Sequence, residues 1–368
     1  MTIKSFTTIC IAAILLSAGN AVAAMGQAVS PSDRVALAYV TSWSEVMPDP
    51  NYLTHINYAF GHVTDSFDGV RIDNEDRLRE IVRLKDTAPQ LKVMLSIGGW
   101  GSGRFSEMAA KKKLRASFVK DCKRVVEQFG LDGIDLDWEY PTSSAAGISS
   151  SPQDTKNFTL LCRRLRKELG TGKLLTFASS ADAKYVDFKA IEPYIDFINI
   201  MTYDIDQPPL HHAGLFRSEM TGKLSCEESV MAHHNAGVPM NKLVLGIPFY
   251  GKGARGVGGN YRTLINRTDL TEKWDDKAKA PYMVDKEGNI ITNHETPRSI
   301  AEKCKYLLAV GMRGAMYWEY SQDDNNLTMV KAVYNGVMEK DFQGRVGCQY
   351  HPFCSAPAGS SPKGMGRI

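Results

Sequence analysis

Short apolar segments alternate with longer amphipathic segments along most of the chain. The short segments are rich in β-branched residues and predict strands, whereas segments with apolar residues three or four positions apart predict helices. Eight strands are predicted, at Val35–Val40, His55–Phe60, Lys92–Ile97, Gly133–Glu139, Leu174–Ser179, Phe197–Tyr203, Leu243–Phe249 and Ala315–Glu319. Helices are predicted at Asp76–Lys85, Lys113–Phe129, Thr155–Leu169, Cys226–Asn235, Ser299–Val310 and Leu327–Met338.

This strict alternation favours a parallel sheet. Eight strand–helix units within residues 34–340 have the count and size of a (β/α)8 TIM barrel, which is an α/β fold. A doubly wound sheet is the competing fold, but no glycine-rich phosphate loop follows the first strand to support it. Residues 252–297 are too many for a simple loop and contain the β-like pieces YRTLI, YMVD and NIITN. They predict a short α+β insertion between strand 7 and helix 7.

Acidic residues occupy every second position at the end of the fourth predicted strand, in FGLDGIDLDWEYP. Side chains alternate between the two faces of a strand, so Asp135, Asp137 and Glu139 share one face. In a barrel this face points to the interior, and Glu139 lies at the carboxyl end, where barrel enzymes have their active sites. Burial and like-charged neighbours disfavour ionisation. We therefore expect at least one of these acids to hold a proton near neutral pH and to act as a general acid.

Two other interpretations of this acidic row remain open. The acids could form a structural hydrogen-bond network, above all at Asp135, or they could bind a divalent metal. A metal site would need further carboxylates or histidines at neighbouring strand ends, and those ends carry aromatic residues instead: Tyr39, Trp43, Phe60, Trp100, Tyr203 and Trp318. Aromatic rings around an acid are typical of a carbohydrate cleft. We therefore expect a carbohydrate substrate, no metal and no cofactor.

The net charge indicates the class of partner, and the N-terminal sequence indicates the compartment in which the protein acts. There are 44 Lys and Arg residues against 41 Asp and Glu residues, a net charge of +3, so neither nucleic acid nor a membrane is an expected partner. Residues 1–23 combine Lys4, an apolar core too short to span a bilayer and a small-residue site ending at Ala23. This order predicts a cleaved secretory signal rather than a buried helix. We expect a secreted or periplasmic monomer with an irregular tail at 341–368.

Four motifs resemble those of glycoside hydrolase family 18 chitinases. DGIDLDWEYP at 132–141 is similar to the family signature DGxDxDWEYP. Three further segments are similar to the family motifs of strands 3, 6 and 8, in that order: LSIGGW at 95–100, MTYD at 201–204 and GAMYWEYSQDD at 314–324. Their order and spacing follow the family over nearly all of residues 34–338. The resemblance implies a TIM barrel that hydrolyses β-1,4 bonds between N-acetylglucosamine units of chitin or chitooligosaccharides and retains the anomeric configuration.

The resemblance also implies roles for individual residues. In this family the acetamido group of the substrate replaces the protein nucleophile. Glu139 would donate the proton, Asp137 and Asp135 would stabilise the intermediate, and Tyr203 would align the acetamido carbonyl. The implied substrate-binding residues are Gly98, Gly99, Trp100, Tyr140, Met201, Asp204 and Trp318. Two aromatic residues from the predicted strand ends, Tyr39 and Phe60, are also expected to bind the substrate.

Some alternatives and departures remain at this level. A family 18 endo-β-N-acetylglucosaminidase, a peptidoglycan-acting relative and a non-catalytic chitin-binding lectin are the rival functions. Such lectins typically lose the acid, and Glu139 is present here. The segment IDQPPLHHAGLF after MTYD and the residue Gly101 both differ from the usual family pattern, which predicts fewer contacts to the sugar at these points.

Six cysteines follow residue 23, and six cysteines allow 15 disulfide pairings. Sequential pairing is one hypothesis, because the first two pairs would join neighbouring barrel helices and the third would close a loop in the tail. The pairs would be Cys122–Cys162, Cys226–Cys304 and Cys348–Cys354. Each bridge requires Cα atoms closer than about 7 Å.

Overall fold

Eight of the strands close into a parallel barrel. The computed structural model describes residues 29–254 and 258–339. Their strands are β1 Val35–Thr41, β2 His55–Val63, β3 Val70–Ile72, β4 Lys92–Gly98, β5 Gly133–Asp137, β6 Leu174–Ser180, β7 Phe197–Met201, β8 Leu243–Pro248, β9 Tyr250–Gly253, β10 Gly259–Asn260, β11 Thr271–Asp275, β12 Ala280–Val284, β13 Ile290–Asn293 and β14 Gly314–Trp318. Strands β1, β2, β4 to β8 and β14 form the barrel, and β1 closes it by pairing with both β2 and β14. The expected TIM barrel is confirmed.

Helices connect the barrel strands. In chain order they are α1 Glu75–Arg83, α2 Phe105–Ala110, α3 Lys112–Phe129, α4 Asp154–Leu169, α5 Phe188–Ile191, α6 Cys226–Asn235, α7 Tyr261–Leu264, α8 Pro297–Ala309 and α9 Thr328–Val337. Each of the predicted helices begins and ends within two residues of an observed one. Gly130 and Gly170, which end α3 and α4, have φ angles of 66° and 71°. These left-handed angles suit glycine, which has no Cβ atom to clash.

The barrel separates two hydrophobic cores because strand side chains alternate between its faces. Ile134 and Leu136 of β5, with Trp138 just after it, belong to the large outer core beneath the helices. The inner core fills the barrel with side chains from other strands and contains Val35, Leu37, Tyr39, Ala59, Phe60, Met94, Phe197, Val244 and Met316. The acidic residues of β5 therefore lie on the inner side, as the alternation predicts.

The expected insertion lies between β8 and α8. It is a five-stranded sheet in the order β10-β9-β13-β12-β11, with the short helix α7. Two details of the sequence interpretation were wrong. The piece YRTLI is mainly helical, because Tyr261 and Leu264, three positions apart, are both buried on one side of α7. Strand β11, TEKWD, was missed because its side chains are exposed or half-buried and give no hydrophobic alternation.

Two of the hypothetical disulfides are wrong. Cys122, Cys162, Cys226 and Cys304 are buried free thiols. The Cys226 thiol faces the carbonyl oxygens of Thr202 and Ala213, at 3.4 and 3.3 Å. The side chain of Cys304 instead packs against Gly336 on α9, so the two sulfur atoms have different surroundings.

Cys122 and Cys162 are fully buried on the core-facing sides of α3 and α4, where they pack as small apolar side chains. The Cys348–Cys354 pair, the predicted signal at 1–23 and the tail at 341–368 lie outside the described residues. Within the described ranges, no helix is both long and apolar enough to cross a membrane.

Candidate active site

Two acids of β5, Asp135 and Asp137, and Glu139 just beyond it form a row that rises from the barrel interior to its rim. Strand β5 ends at Asp137, two residues earlier than predicted, but Glu139 still lines the same cavity as Asp137. Asp135 is fully buried, Asp137 is 4% exposed and Glu139 is partly exposed. The row thus passes from a dry interior to a surface that a substrate can reach.

Asp135 is the centre of a buried hydrogen-bond network, in agreement with the structural interpretation of this residue. Its carboxylate accepts hydrogen bonds from side chains on four other strands: Tyr39 at 2.9 Å, Ser96 at 2.8 Å, Thr176 at 2.6 Å and Asn199 at 3.1 Å. Burial raises the pKa of Asp135, and these four donors act in the opposite direction because they stabilise the carboxylate.

Asp137 and Glu139 form a coupled pair of acids. Burial raises the pKa of Asp137 well above its usual value, and the neighbouring charges of Glu139 and Asp135 raise it further. Burial also raises the pKa of Glu139, to about 7. A hydrogen bond with Tyr140 lowers this pKa, and the negative charge of Asp204 raises it. Two neighbouring acids in a dry site cannot both ionise readily, so this pair retains a proton near neutral pH.

Asp204 has the opposite electrostatic character. Burial alone would raise its pKa, but His212, Tyr250 and Lys252 hold the pKa at about 2. The Tyr250 hydroxyl donates to Asp204 Oδ1 at 2.6 Å, Lys252 Nζ lies 3.1 Å from the same oxygen, and His212 Nδ1 lies 3.6 Å from it. The cavity therefore has a stable anion at Asp204 facing the proton-holding pair.

Aromatic side chains surround the acids. The Trp318 ring stacks on Phe60 at 5.6 Å with an angle of 19°, and it contacts Tyr39 at 5.6 Å and Trp43 at 6.5 Å. The Trp43 and Trp100 side chains are 66% and 65% exposed, an unusual position for large apolar rings.

On another part of the cavity wall, Tyr140 stacks on Tyr185 at 5.0 Å with an angle of 8°. These flat apolar faces, open to solvent and next to acids, suit the faces of sugar rings.

The acids and rings line one open cleft of about 1130 Å³. The predicted residues that line it are Tyr39, Phe60, Trp100, Asp137, Glu139, Tyr140, Met201, Tyr203, Asp204 and Trp318. Asp135 lies beneath the cleft. Gly98 and Gly99 are not among these lining residues, and their part in substrate binding stays a prediction. A Cβ atom on Gly98 would lie 2.0 Å from the carbonyl oxygen of Asp137, and one on Gly99 would lie 2.7 Å from the Phe60 ring. Both glycines permit close packing beside the acids.

Several residues of this site were not predicted from the sequence. Asn199 and Thr176 occupy inward positions of β7 and β6, and the alternation that places the acids of β5 would identify them if it were applied to each strand. Tyr250 and Lys252 follow β8 directly at the same end of the barrel. Tyr185 carries no comparable signal, because it lies in an irregular connection after β6.

The arrangement is suited to acid catalysis on a carbohydrate. A protonated carboxyl group is held at the rim of the barrel, on the floor of a cleft with aromatic walls, and the Tyr203 hydroxyl lines the same cleft. Burial and the charges of Asp137 and Glu139 raise the pKa of Tyr203 well above its usual value, so its hydroxyl remains a donor. No group of three His, Cys, Asp or Glu residues suited to a metal ion occurs in the described part of the chain.

Comparisons with known proteins agree with this geometry. The model of the glycosyl hydrolases family 18 matches residues 35–323. Chitinase A1 of Niallia circulans is 33% identical over 299 residues, which cover 67% of this chain and 43% of that protein. Probable chitinase 2 of Drosophila melanogaster is 31% identical over 357 residues, covering 79% of this chain and 72% of that protein.

A solved structure shows the same architecture. It is a glycoside hydrolase family 18 N-acetylglucosaminidase from Paenibacillus barengoltzii, with 33% identity and a TM-score of 0.76 over 82% of this chain and 99% of that chain. The present chain thus spans less than half of the first bacterial relative but nearly all of the solved one. The family match covers most of the barrel and includes the acidic row of β5, and the chain belongs to the glycosyl hydrolases family 18.

Proposed function

We propose that the chain hydrolyses β-1,4 bonds between N-acetylglucosamine units of chitin and chitooligosaccharides. The observation that carries the proposal is the row Asp135, Asp137 and Glu139, which ends in a proton-holding pair at the floor of an aromatic cleft. The cleft volume of about 1130 Å³ exceeds the roughly 300–1,000 Å³ of small-ligand pockets, which suits an oligosaccharide. The names of the similar proteins, chitinases and an N-acetylglucosaminidase, support the same substrate class.

In the proposed mechanism Glu139 donates its proton to the glycosidic oxygen. A pKa of about 7 suits this role, since the group is protonated below neutral pH and is still acidic enough to transfer its proton. The carbonyl oxygen of the substrate's own acetamido group attacks the anomeric carbon as the bond to the leaving group breaks. Water then opens the oxazolinium-like intermediate with Glu139 as the base, so the anomeric configuration is retained.

Asp137, Asp135 and Tyr203 support the acetamido group in this proposal. One oxygen of Asp137, Oδ1, is buried and has no hydrogen-bond partner among the described residues, so it is free to accept the acetamido N–H. Asp135, anchored by its four donors, supplies negative charge beneath the developing positive charge. Among the described residues the Tyr203 hydroxyl has only a 4.0 Å contact with Met316 Sδ, which leaves it free to donate to the acetamido carbonyl.

The remaining lining residues are proposed to bind sugars on both sides of the bond that is cleaved. Trp318 forms the floor beneath the reacting sugar, and Met201 packs against the acetamido methyl group. Asp204, kept ionised by its neighbours, accepts hydrogen bonds from sugar hydroxyls next to the bond. The lining aromatic residues Tyr39, Phe60, Trp100 and Tyr140 complete the proposed walls.

Glu139→Gln tests the mechanism directly. The variant should lose turnover of chitotetraose by several orders of magnitude while its affinity for the oligosaccharide stays within a few-fold of the wild type. Wild-type product observed early by proton NMR should be the β-anomer. Unchanged hydrolysis by the variant would remove the role of Glu139, and an initial α-anomer would remove the substrate-assisted step.

A second candidate is release of single N-acetylglucosamine residues. It is favoured by the resemblance to the Paenibacillus N-acetylglucosaminidase, which this chain covers almost end to end. A time course with chitohexaose separates the two functions, because an endo-acting chitinase first gives dimers to tetramers, whereas an exo-acting enzyme gives monomer and pentamer.

We further propose that the protein is exported after cleavage near Ala23 and acts as a monomer. The composition of residues 1–23 supports export, and N-terminal sequencing of the mature protein tests it.

A further inference from the structure

A second concave surface lies on the outside of the barrel, between α3 and α4. It encloses about 670 Å³ and shares no lining residue with the catalytic cleft. On α4, Leu160, Arg163, Arg164 and Lys167 are spaced three or four positions apart and so share one face of the helix. The other lining residues are Lys112 and Arg115 of α3, Arg166 of α4, and Tyr194. We call this surface the basic groove.

The basic groove has cationic side chains and no acidic ones. Of its six cations only Arg166 forms an ion pair within the described chain, with Asp196. No carboxylate of the described residues lies within ion-pairing distance of Lys112, Arg115, Arg163, Arg164 or Lys167, although elsewhere on this surface ion pairs are common. Since the whole chain carries a net charge of only +3, five unpaired cations in one groove are a strong local concentration of positive charge.

One of these cations is buried, and a second is half-buried with one nitrogen atom out of contact with solvent. Arg115 is only 9% exposed, and among the described residues its guanidinium group donates a hydrogen bond only to the carbonyl oxygen of Ala109. The Nε atom of Arg164 is buried and has no hydrogen-bond partner among the described residues. Burial and the like charge of Arg164 both lower the pKa of Arg115. Unpaired buried charge is costly, and an anion in the groove would remove this cost.

We propose that the basic groove binds the carboxylate groups of an acidic polysaccharide. Guanidinium groups donate paired hydrogen bonds whose geometry matches a carboxylate, and the two arginines Arg163 and Arg164, neighbours on α4, have no ion-pair partner among the described residues. The Tyr194 ring and the Leu160 side chain add apolar contact area, which suits sugar rings better than a small inorganic anion. A volume of about 670 Å³ lies within the roughly 300–1,000 Å³ of small-ligand pockets, so the groove would take only a few sugar units of a longer chain.

This site would hold the enzyme on an anionic polymer while the cleft acts on a neutral one. The two surfaces are built from different residues, so binding at the groove requires no change in the acids or rings of the cleft. The proposal is therefore independent of the proposed hydrolysis, and each can fail without the other.

The test measures binding of a fluorescent oligogalacturonate of about ten sugars by anisotropy, with the full chain. Arg163→Gln/Arg164→Gln removes two groove cations. Lys120→Gln/Lys156→Gln is the matched control, because it removes two exposed cations from the same two helices outside the groove. The wild type and the control should bind the oligogalacturonate saturably, with one site per chain. The bound oligogalacturonate should also raise the midpoint of their thermal unfolding. The groove variant should bind at least about tenfold more weakly, the loss expected for charged hydrogen bonds.

Hydrolysis of chitotetraose should be equal in all three proteins, which shows that the variants are folded. Absence of saturable binding to the wild type would overturn the proposal. An equal loss in the Lys120→Gln/Lys156→Gln control would also overturn it, because it would indicate attraction by net charge alone. Tighter binding of inorganic polyphosphate than of oligogalacturonate would show that the groove selects phosphate and would refute the choice of a carboxylated sugar chain.

Discussion

Glu139→Gln should stabilise the protein at alkaline pH while it removes activity. Burial raises the pKa of Glu139 from 4.5 to about 7 in the folded protein. A difference of about 2.5 pH units corresponds to roughly 3 kcal/mol at about 1.36 kcal/mol per unit. The folded state holds this proton more tightly than the unfolded state does. The protonated group therefore contributes to the free energy of unfolding in full below pH 4.5, and this contribution is lost as the pH rises through 7. Above pH 7 the wild type therefore carries a cost that a neutral glutamine avoids.

Urea unfolding at pH 4 and at pH 8 measures this difference. Because Glu139 is partly exposed and water reduces the cost of ionisation, we expect a gain of about 1–3 kcal/mol at pH 8 and almost none at pH 4. The exposed residue Glu45, changed to Gln, is the surface control and should alter stability by less than about 0.5 kcal/mol at both pH values. An equal gain at the two pH values would show that packing, not ionisation, is responsible, and no gain at pH 8 would refute the reasoning.

The same pKa predicts that kcat/KM of the wild type falls about tenfold per pH unit above pH 7, since the proton donor must be protonated. The midpoint belongs to the coupled pair of acids rather than to Glu139 alone. A profile that stays level to pH 9 would contradict the assignment of Glu139 as the donor.

Four further predictions follow from single contacts. Tyr203→Phe should lower kcat about 100-fold with little change in KM, because it removes one donor that acts mainly in the transition state; a change confined to KM would argue against this role. Trp318→Ala should weaken chitooligosaccharide binding by about 2 kcal/mol, or about 30-fold, as measured by calorimetry. Lys303→Met should cost about 3–5 kcal/mol in urea unfolding because it leaves Glu295 unpaired in the interior, and Lys303→Met/Glu295→Leu should recover most of this loss. A thiol reagent applied without reductant should modify the four described cysteines only after unfolding; peptide mapping that finds any of these four unmodified would restore the disulfide hypothesis.

The features that are predictable from the sequence are those that repeat along the chain. The eight strands and the main helices follow from hydrophobic spacing, because each strand must bury one face against the helices and the other inside the barrel. The same spacing is sufficient to place Asp135, Asp137 and Glu139 on the inner face of the barrel. The family motifs then give chemical roles that spacing alone does not provide.

Features that depend on contacts between distant segments were not predictable in this way. The ionised state of Asp204 depends on Tyr250 and Lys252, which are more than forty residues away, and on His212 from the connection after β7. The two hypothetical disulfides between barrel helices failed for a similar reason, since neighbouring helices do not guarantee that two thiols face each other. Strand β11 gave no signal because an exposed edge strand has little to bury.

The row of acids is tolerated because each member meets a different environment. Asp135, the deepest, has four hydrogen-bond donors that compensate for its burial. Asp137, one step higher, has a buried oxygen without any such donor among the described residues, and Glu139 reaches the solvent-filled cleft. The described residues thus supply no hydrogen bond to this oxygen of Asp137, and here the proposed substrate would supply its own acetamido N–H. A hydrogen-bond donor added at this level would stabilise the free enzyme but would compete with the substrate for Asp137.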